Sequence, residues 1–354
     1  MLDFKIKDVF SALWKTKSFM LFRFLIYFGI TIAYVIATGA GAGVGSLIGK
    51  VAGESEAGAF YGIIGGFGLV TGILFYVREY LLYMVKAGHI AVILKYLDKE
   101  EIPSGKGQIS YAQAIVKDRF KEASVLFAVD QVIKKVVKFI TSLFEGILSF
   151  LPFIPQPIVK FVNAIVKNST TYVDEIILAY NIKNEIDNPW EGSKQAVVLY
   201  AQNYKVFLKN AVFVTVISWI LTALVMLLTF GPIALLLQLT GQVGGMWPLM
   251  IAIVASISIK AALIDPFAMT ALMQVFFKVT QDQQPNPEWE GKLEQGSKKF
   301  REMKEKAMSW VSTNTGAGSA DVGNTGSGNT SFDNNGVVDD DSPTVRFKTT
   351  TGQG

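Results

Sequence analysis

The chain has 354 residues, of which 51% are hydrophobic and 18% charged, and a net charge of +4; an ordinary soluble domain carries about a quarter charged residues. This balance marks an integral membrane protein and argues against nucleic-acid binding, which needs basic residues clustered on one soluble face. With no cysteine and a single histidine, His89, the chain cannot build disulfides, thiolate nucleophiles, Cys/His zinc sites or a histidine triad, so no enzyme activity, metal or cofactor is expected.

Residues 1–18 place Phe4, Ile6, Val9, Phe10, Leu13 and Trp14 near helical spacing with lysines between them, which predicts an amphipathic helix in the membrane interface. Residues 19–84 read as a transmembrane hairpin. Its first span, from Phe19 to about Ala37, is too long for the apolar core of a cleaved signal peptide and is expected to be retained as an anchor. Arg23, near its start, is expected to snorkel to the interface. Gly41, Gly45 and Gly49, then Gly58, Gly62 and Gly66, recur every four residues. Small residues at that interval let two helix backbones approach closely in lipid, which predicts a tight hairpin or a contact between copies of the chain, with a glycine-lined pore as the alternative. In "VGSLIGKV", Val44 and Val51 occupy positions where a phosphate-binding loop needs Gly and Ser or Thr, so no nucleotide is expected.

The second span runs from about Ala57 to Tyr83. Lys5, Lys7, Lys15 and Lys17 before the hairpin, with Arg78, Lys86 and Lys95 after it, place both ends in the cytoplasm by the positive-inside rule. His89, just past the span, reads as a solvated interfacial residue able to titrate near neutrality. Residues 85–124 are expected to form a cytoplasmic loop and an amphipathic helix.

Residues 125–182 predict a membrane-embedded or re-entrant helical hairpin. Val129, Val132, Ile133, Val136, Ile140, Leu143 and Ile147 form one apolar stripe, Asp130, Lys134, Lys138 and Glu145 lie off it, and "PFIPQP" at 152–157 turns the chain. Residues 183–205 form a cytoplasmic helix that starts with Asn188 as N-cap, Pro189 in the first position and Glu191 in the third. The phrase returns at Asn286–Pro287, by convergent capping or by an internal duplication. Residues 206–279 make a transmembrane helix pair, Val206–Leu239 and Trp247–Phe277, interrupted at Gly231–Pro232 and at Asp265–Pro266. Paired interruptions point to the discontinuous helices of transporters, although proline is also tolerated in ordinary membrane helices. Residues 286–311 predict a basic amphipathic helix, with Leu293, Phe300, Met303 and Ala307 on its apolar face, lying on the inner leaflet or docked on cytoplasmic helices. Residues 312–354 have the composition of a disordered tail.

Taken together these elements predict an all-α polytopic protein of the plasma membrane, with four full transmembrane helices, a central embedded hairpin, interfacial amphipathic helices and both termini cytoplasmic. The phrases "VKAGHIAVILKYL", "ISYAQAIVKDRFKEASVLFAVDQVIKKVVKFI", "TTYVDEIILAYNI" and "NPWEGSKQAVVLYAQNYK" resemble a family of bacterial multipass membrane proteins of unknown function, over residues 80–305. That resemblance implies class and location and no catalytic residue. A fainter likeness to choline-transporter-like proteins, over Tyr172 to Ala211, keeps transport open.

Four ionisable residues are candidates to line an ion or substrate path, because charges at bilayer depth are costly and are usually functional or paired. Asp174 and Glu175 are adjacent and about 100° apart on a helix. Lys260 and Asp265 are five residues apart, about 140° on an α-helix, and are not expected to form an intrahelical pair. Pro266 withholds its N–H, so the carbonyl of Ala262 is expected to lose its usual partner and to be open to a ligand, water or side chain. The depth of Asp265 turns on whether Trp247 or the Phe276–Lys278 stretch marks an interface. Two functions from different classes follow: a transporter- or channel-like protein with a path lined by these carboxylates, or a non-transporting scaffold whose residues 286–354 recruit a cytoplasmic partner. A second copy of the chain and the lipid bilayer are the other expected partners.

Overall fold

The computed structural model describes residues 2–103, 105–119, 123–149, 160, 163–165, 167–168, 170–239 and 247–316. Among them all regular structure is helical. Four stretches are long and apolar enough to cross a membrane: Lys17–Val51, Tyr80–Leu97, Tyr204–Leu235 and Ala252–Thr280. The chain is an all-α polytopic membrane protein.

A short helix, α1 (Ile6–Lys15), leads into α2 (Lys17–Val51) and α3 (Ser55–Leu97). The 35 residues of α2 span about 50 Å at 1.5 Å each. The two long helices pack antiparallel along the glycine stripe. A Cβ added at Gly41, Gly45, Gly58, Gly62 or Gly66 would collide with a carbonyl oxygen of the facing helix, and one at Gly49 with the Glu54 carbonyl in the turn. Backbone thus lies on backbone, where dispersion and weak Cα–H···O contacts replace the hydrophobic drive that lipid cannot supply. The turn between the helices is closed by Gly53 at φ +79°, and Ser46 Oγ lies 2.8 Å from Ser55 Oγ beside it.

The remaining elements are α4 (Gln108–Arg119), α5 (Ala123–Ser149), α6 (Val173–Lys183), α7 (Pro189–Gln202), α8 (Tyr204–Leu239), α9 (Trp247–Ile259), a π turn (Lys260–Ile264), α10 (Asp265–Thr280), α11 (Pro287–Gly296) and α12 (Lys298–Gly316). They build a helical layer around one hydrophobic core. Ile90 and Ile93 of α3, Val136 and Ile140 of α5, Ile176 and Ile177 of α6, Leu199 of α7, Phe207 of α8, Phe276 of α10 and Phe300 of α12 all belong to it. Each such side chain stabilises the layer by about 1.5–3 kcal/mol relative to exposure in water.

The spans divide accordingly. Large exposed apolar side chains run from Leu21 to Val51 on α2, from Phe60 to Leu69 and again at Tyr80 and Leu81 on α3, from Phe213 to Leu235 on α8, and from Ile253 to Leu263 on α9 and the π turn. Beyond those limits the same helices sink into the layer: Pro266 to Met273 are buried without a break, as a helix apolar all round requires. Asp265 therefore follows the last large exposed apolar side chain of that stretch, Leu263, and lies within the apolar span Ala252–Thr280. Helix α1 lies at the same level, with Val9, Ala12 and Leu13 buried and Ile6, Phe10 and Trp14 facing out, the amphipathic pattern expected of residues 1–18. Its N-terminal end is tied to α8, where Lys209 Nζ meets Asp3 Oδ2 at 2.6 Å and Asn210 Nδ2 donates to the same oxygen at 2.7 Å.

Asn188 caps α7 by accepting from the N–H groups of Trp190 and Glu191, and Asn286 caps α11 by accepting from Glu288 and Trp289, as expected. The single basic helix expected over 286–311 is two helices, because Ser297 ends one and caps the next by accepting from Phe300 N–H at 3.2 Å. They are docked: Leu293, Phe300, Met303 and Ala307 are buried in the layer, and Asn188 Nδ2 donates to the Ala307 carbonyl at 2.9 Å. The second helix continues to Gly316, so the first five residues of the expected tail are helical, while 317–354 lie outside the described residues. On α5 the stripe Val129, Val132, Ile133, Val136 and Ile140 is buried as expected; Leu143, Ile147 and the "PFIPQP" turn lie outside the described side chains. The interruption expected at Gly231–Pro232 is absent, since α8 runs unbroken through Pro232. Thr229 steadies the preceding turn, its hydroxyl donating to the Val225 carbonyl at 2.9 Å and lying 2.9 Å from Ser256 Oγ of α9.

Candidate functional site

The π turn is the local origin of the site. Within it the Asp265 N–H donates to the Lys260 carbonyl, five residues back, instead of the four of an α-helix. In that register the next donor is residue 266 and its acceptor the carbonyl of Ala261, but residue 266 is proline and has no N–H. Arg23 of α2 fills the gap, Nη2 donating to the Ala261 carbonyl at 2.7 Å. The carbonyl that Arg23 takes up is thus that of Ala261, one residue before the Ala262 carbonyl expected to lose its partner.

The same register overturns a second expectation. Lys260 Nζ lies 2.5 Å from Asp265 Oδ1, because an i to i+5 turn brings onto one side two residues that an α-helix would separate by about 140°. The Tyr172 hydroxyl, just before α6, donates to the same oxygen at 2.8 Å. Asp265 is therefore a junction between the π turn and α6.

Arg23 does not snorkel. It is 1% exposed, its Nη1 lies 3.2 Å from His89 Nδ1, and Tyr27 lies beneath the guanidinium at 5.9 Å. His89 is not solvated either: it is fully buried, stacked on Phe19 with ring centroids 4.9 Å apart, and its Nε2 lies 3.2 Å from Thr16 Oγ1. Since Arg23 only donates, Nδ1 must accept and Nε2 carry the proton. Thr16 in turn donates to the Leu13 carbonyl at 3.2 Å. One hydrogen-bond chain thus runs from the π turn through α2 and α3 to the α1–α2 junction.

Next to this junction a cavity of about 200 Å³ is lined by Lys86, Asp130, Lys134, Asp174, Glu175 and Asp265, with Tyr27, Tyr83 and Phe127 among its aromatic walls. Lys86 Nζ meets Glu175 Oε1 at 2.6 Å, and Lys134 Nζ meets Asp130 Oδ2 at 2.7 Å and Asp174 Oδ2 at 3.6 Å. The Glu175 side chain is 6% exposed, and its second oxygen, Oε2, is buried with no hydrogen-bond partner. Counting Lys260 through Asp265, three lysines face four carboxylates.

The structure therefore brings together the four sequence candidates Asp174, Glu175, Lys260 and Asp265, with Pro266 setting the register that joins the last two. Sequence reasoning missed Lys86, Asp130, Lys134, Tyr172 and Arg23 as parts of the site. Asp130 was placed off the α5 stripe, yet it is buried because Lys134 one turn on neutralises it; two opposite charges at i and i+4 inside an apolar segment were the available signal. The six glycines meet one another within the hairpin, away from the cavity. Among the described residues no group of three or more His, Cys, Asp or Glu side chains is arranged to hold a metal ion. Comparison with protein-family models, curated proteins and solved structures finds no match to this chain.

Proposed function

We propose that this membrane protein is transporter- or channel-like, and that the carboxylate cavity holds a proton or a small monovalent cation on a polar path through the base of the spans. The observation that carries this reading is Glu175: a buried carboxylate oxygen without a donor, in a cavity where acids outnumber lysines. An unpaired buried carboxylate is costly, and a proton or cation bound at Oε2 removes that cost. The π turn supports the same reading, since such turns concentrate at functional positions. The lysine-rich helix ends support a plasma-membrane location with the described ends of the chain on the cytoplasmic side. Within one copy the glycine stripe is already occupied, so a second copy would meet the outer faces of the hairpin.

In proteoliposomes, Glu175→Gln, Asp174→Asn and Asp265→Asn are each expected to lower proton or sodium flux at least tenfold while the protein still elutes as a folded species. Unchanged flux in all three variants would overturn the reading.

The ion pairs favour one second reading, a non-transporting scaffold that recruits a cytoplasmic partner: Asp130, Glu175 and Asp265 each have a lysine within 2.7 Å, as structural charges do. Removal of residues 317–354, which leaves the docked α12 intact, separates the two. The scaffold loses its partner in this truncation, whereas a transporter keeps its flux.

A further inference from the structure

A groove of about 510 Å³ lies where α1, the start of α2, α8 and the π turn meet. Its floor is made of buried side chains, Leu13 of α1, Ile264 of the π turn and Phe267 of α10. Its walls stand open, since Phe10, Trp14, Leu21 and Leu221 are all exposed. The one charged side chain that lines it is that of Lys17, whose Nζ lies 5.0 Å from the centre of the Trp14 ring. Every other lining residue is aliphatic, aromatic or methionine.

The position and the lining together say what fills this groove. Leu21 and Leu221 belong to the rows of exposed apolar side chains on α2 and α8, so the groove opens on hydrocarbon and the medium at its mouth is acyl chain. Its polarity is graded in the same order as a lipid. Trp14 and Lys17, residue types that gather at the membrane interface, stand together at the α1–α2 junction, and the lining away from them is hydrocarbon. An extended peptide laid in the groove would bury N–H and C=O groups against a lining whose only side-chain donors are Lys17 and Trp14, which is costly. An acyl chain has no such groups to satisfy. The volume lies within the range of about 300–1,000 Å³ typical of small-molecule sites.

We propose that this groove is a binding site for one acyl chain of a bilayer phospholipid, seated between α1 and the π turn with the polar end of the lipid at Trp14 and Lys17. The proposal is independent of the ion-holding role of the carboxylate cavity. It is tested on purified full-length protein in phosphatidylcholine nanodiscs that contain a trace of phosphatidylcholine with a diazirine on one acyl chain, with the labelled residues mapped after photolysis. Met20, Leu21 and Leu221 are expected to be labelled at least fivefold more than Ile220, their lipid-facing neighbour on α8, which is 62% exposed and lies outside the groove. Leu221→Trp and Leu21→Trp each fill the groove from one wall and are expected to lower labelling of Met20 at least fivefold, with Ile220 unchanged. Leu227→Trp, on the open face of α8, is expected to change neither. Equal labelling of the groove and Ile220 in the wild type would overturn the proposal, as would unchanged labelling of Met20 in both filled variants. Benzoylphenylalanine placed at Phe10 is expected to give a lipid adduct; a cross-linked dimer in its place would assign the groove to a second copy of the chain and overturn the proposal as well.

Discussion

The glycine hairpin and the helical layer at its base hold helices together by opposite means. In the hairpin, contact is made by backbone, glycine against glycine from Gly41 and Gly62 to Gly45 and Gly58, where no side chain stands between the helices. In the layer, helices meet through aliphatic side chains and, at its upper edge, through charges: Arg23, Lys86, Lys134 and Lys260 with their partners. Where side chains are stripped away the chain gains closeness and loses chemistry. Where charges are retained at the cost of desolvation, the layer holds the ion pairs on which the proposed function rests.

The largest effect that would sharpen this contrast is expected in the hairpin. Gly62→Leu places a side chain where even a Cβ meets the Gly41 carbonyl oxygen, and because backbone cannot move aside as a rotamer can, the loss should exceed the about 1–3 kcal/mol of ordinary overpacking. Thermal unfolding in detergent reads it as a lower midpoint, and an unchanged midpoint would contradict the backbone packing. In the layer, Arg23→Met leaves the Ala261 carbonyl and His89 Nδ1 without a donor, a cost of about 1–3 kcal/mol for each buried group. Arg23→Lys should recover little, since a single ammonium cannot reach both acceptors in the geometry of the guanidinium fork; full recovery would mean that charge alone matters there.

The smallest effect is the acid response of the N-terminal tie. The Asn210 side chain, and Lys209 beside it, hold the Asp3 carboxyl below its ordinary value of 3.8. A lowered folded value means that the contribution is present above the unfolded pKa and is lost as pH falls through the folded one. The pair is partly exposed, so it is worth at most about 1 kcal/mol. Amide exchange across α1 should therefore quicken below about pH 4, with the Gly41–Gly62 contact unaffected, and Asp3→Asn should remove the response.

What the sequence made legible follows the range of the interactions involved. The caps at Asn188 and Asn286, the apolar stripe of α5 and the four-residue glycine interval are local patterns, and the structure reproduces each. The π turn was hidden because every periodicity argument applied to residues 256–269 assumed 3.6 residues per turn, so Lys260 and Asp265 were placed on different faces. The burial of Arg23 and His89 was hidden for another reason: their partners come from positions 66 and 238 residues away, and nothing local distinguishes a snorkelling arginine from one that completes a broken ladder. The four path candidates were found because charge inside an apolar run is itself a signal, but the company they keep was set by the tertiary fold.

The glycine contact has a consequence for register. A stripe repeating every four residues does not choose its own alignment: Gly45 now faces Gly58 and Gly62, and sliding α3 by one repeat along α2, about 6 Å, would set it between Gly62 and Gly66 instead. The choice is made at the end of the hairpin, where Gly53 closes the turn and Ser46 meets Ser55. The hairpin thus behaves as a ruled scale whose zero is set by three residues, and lengthening that turn would let the two helices settle one graduation apart without losing a glycine contact in the middle of the scale.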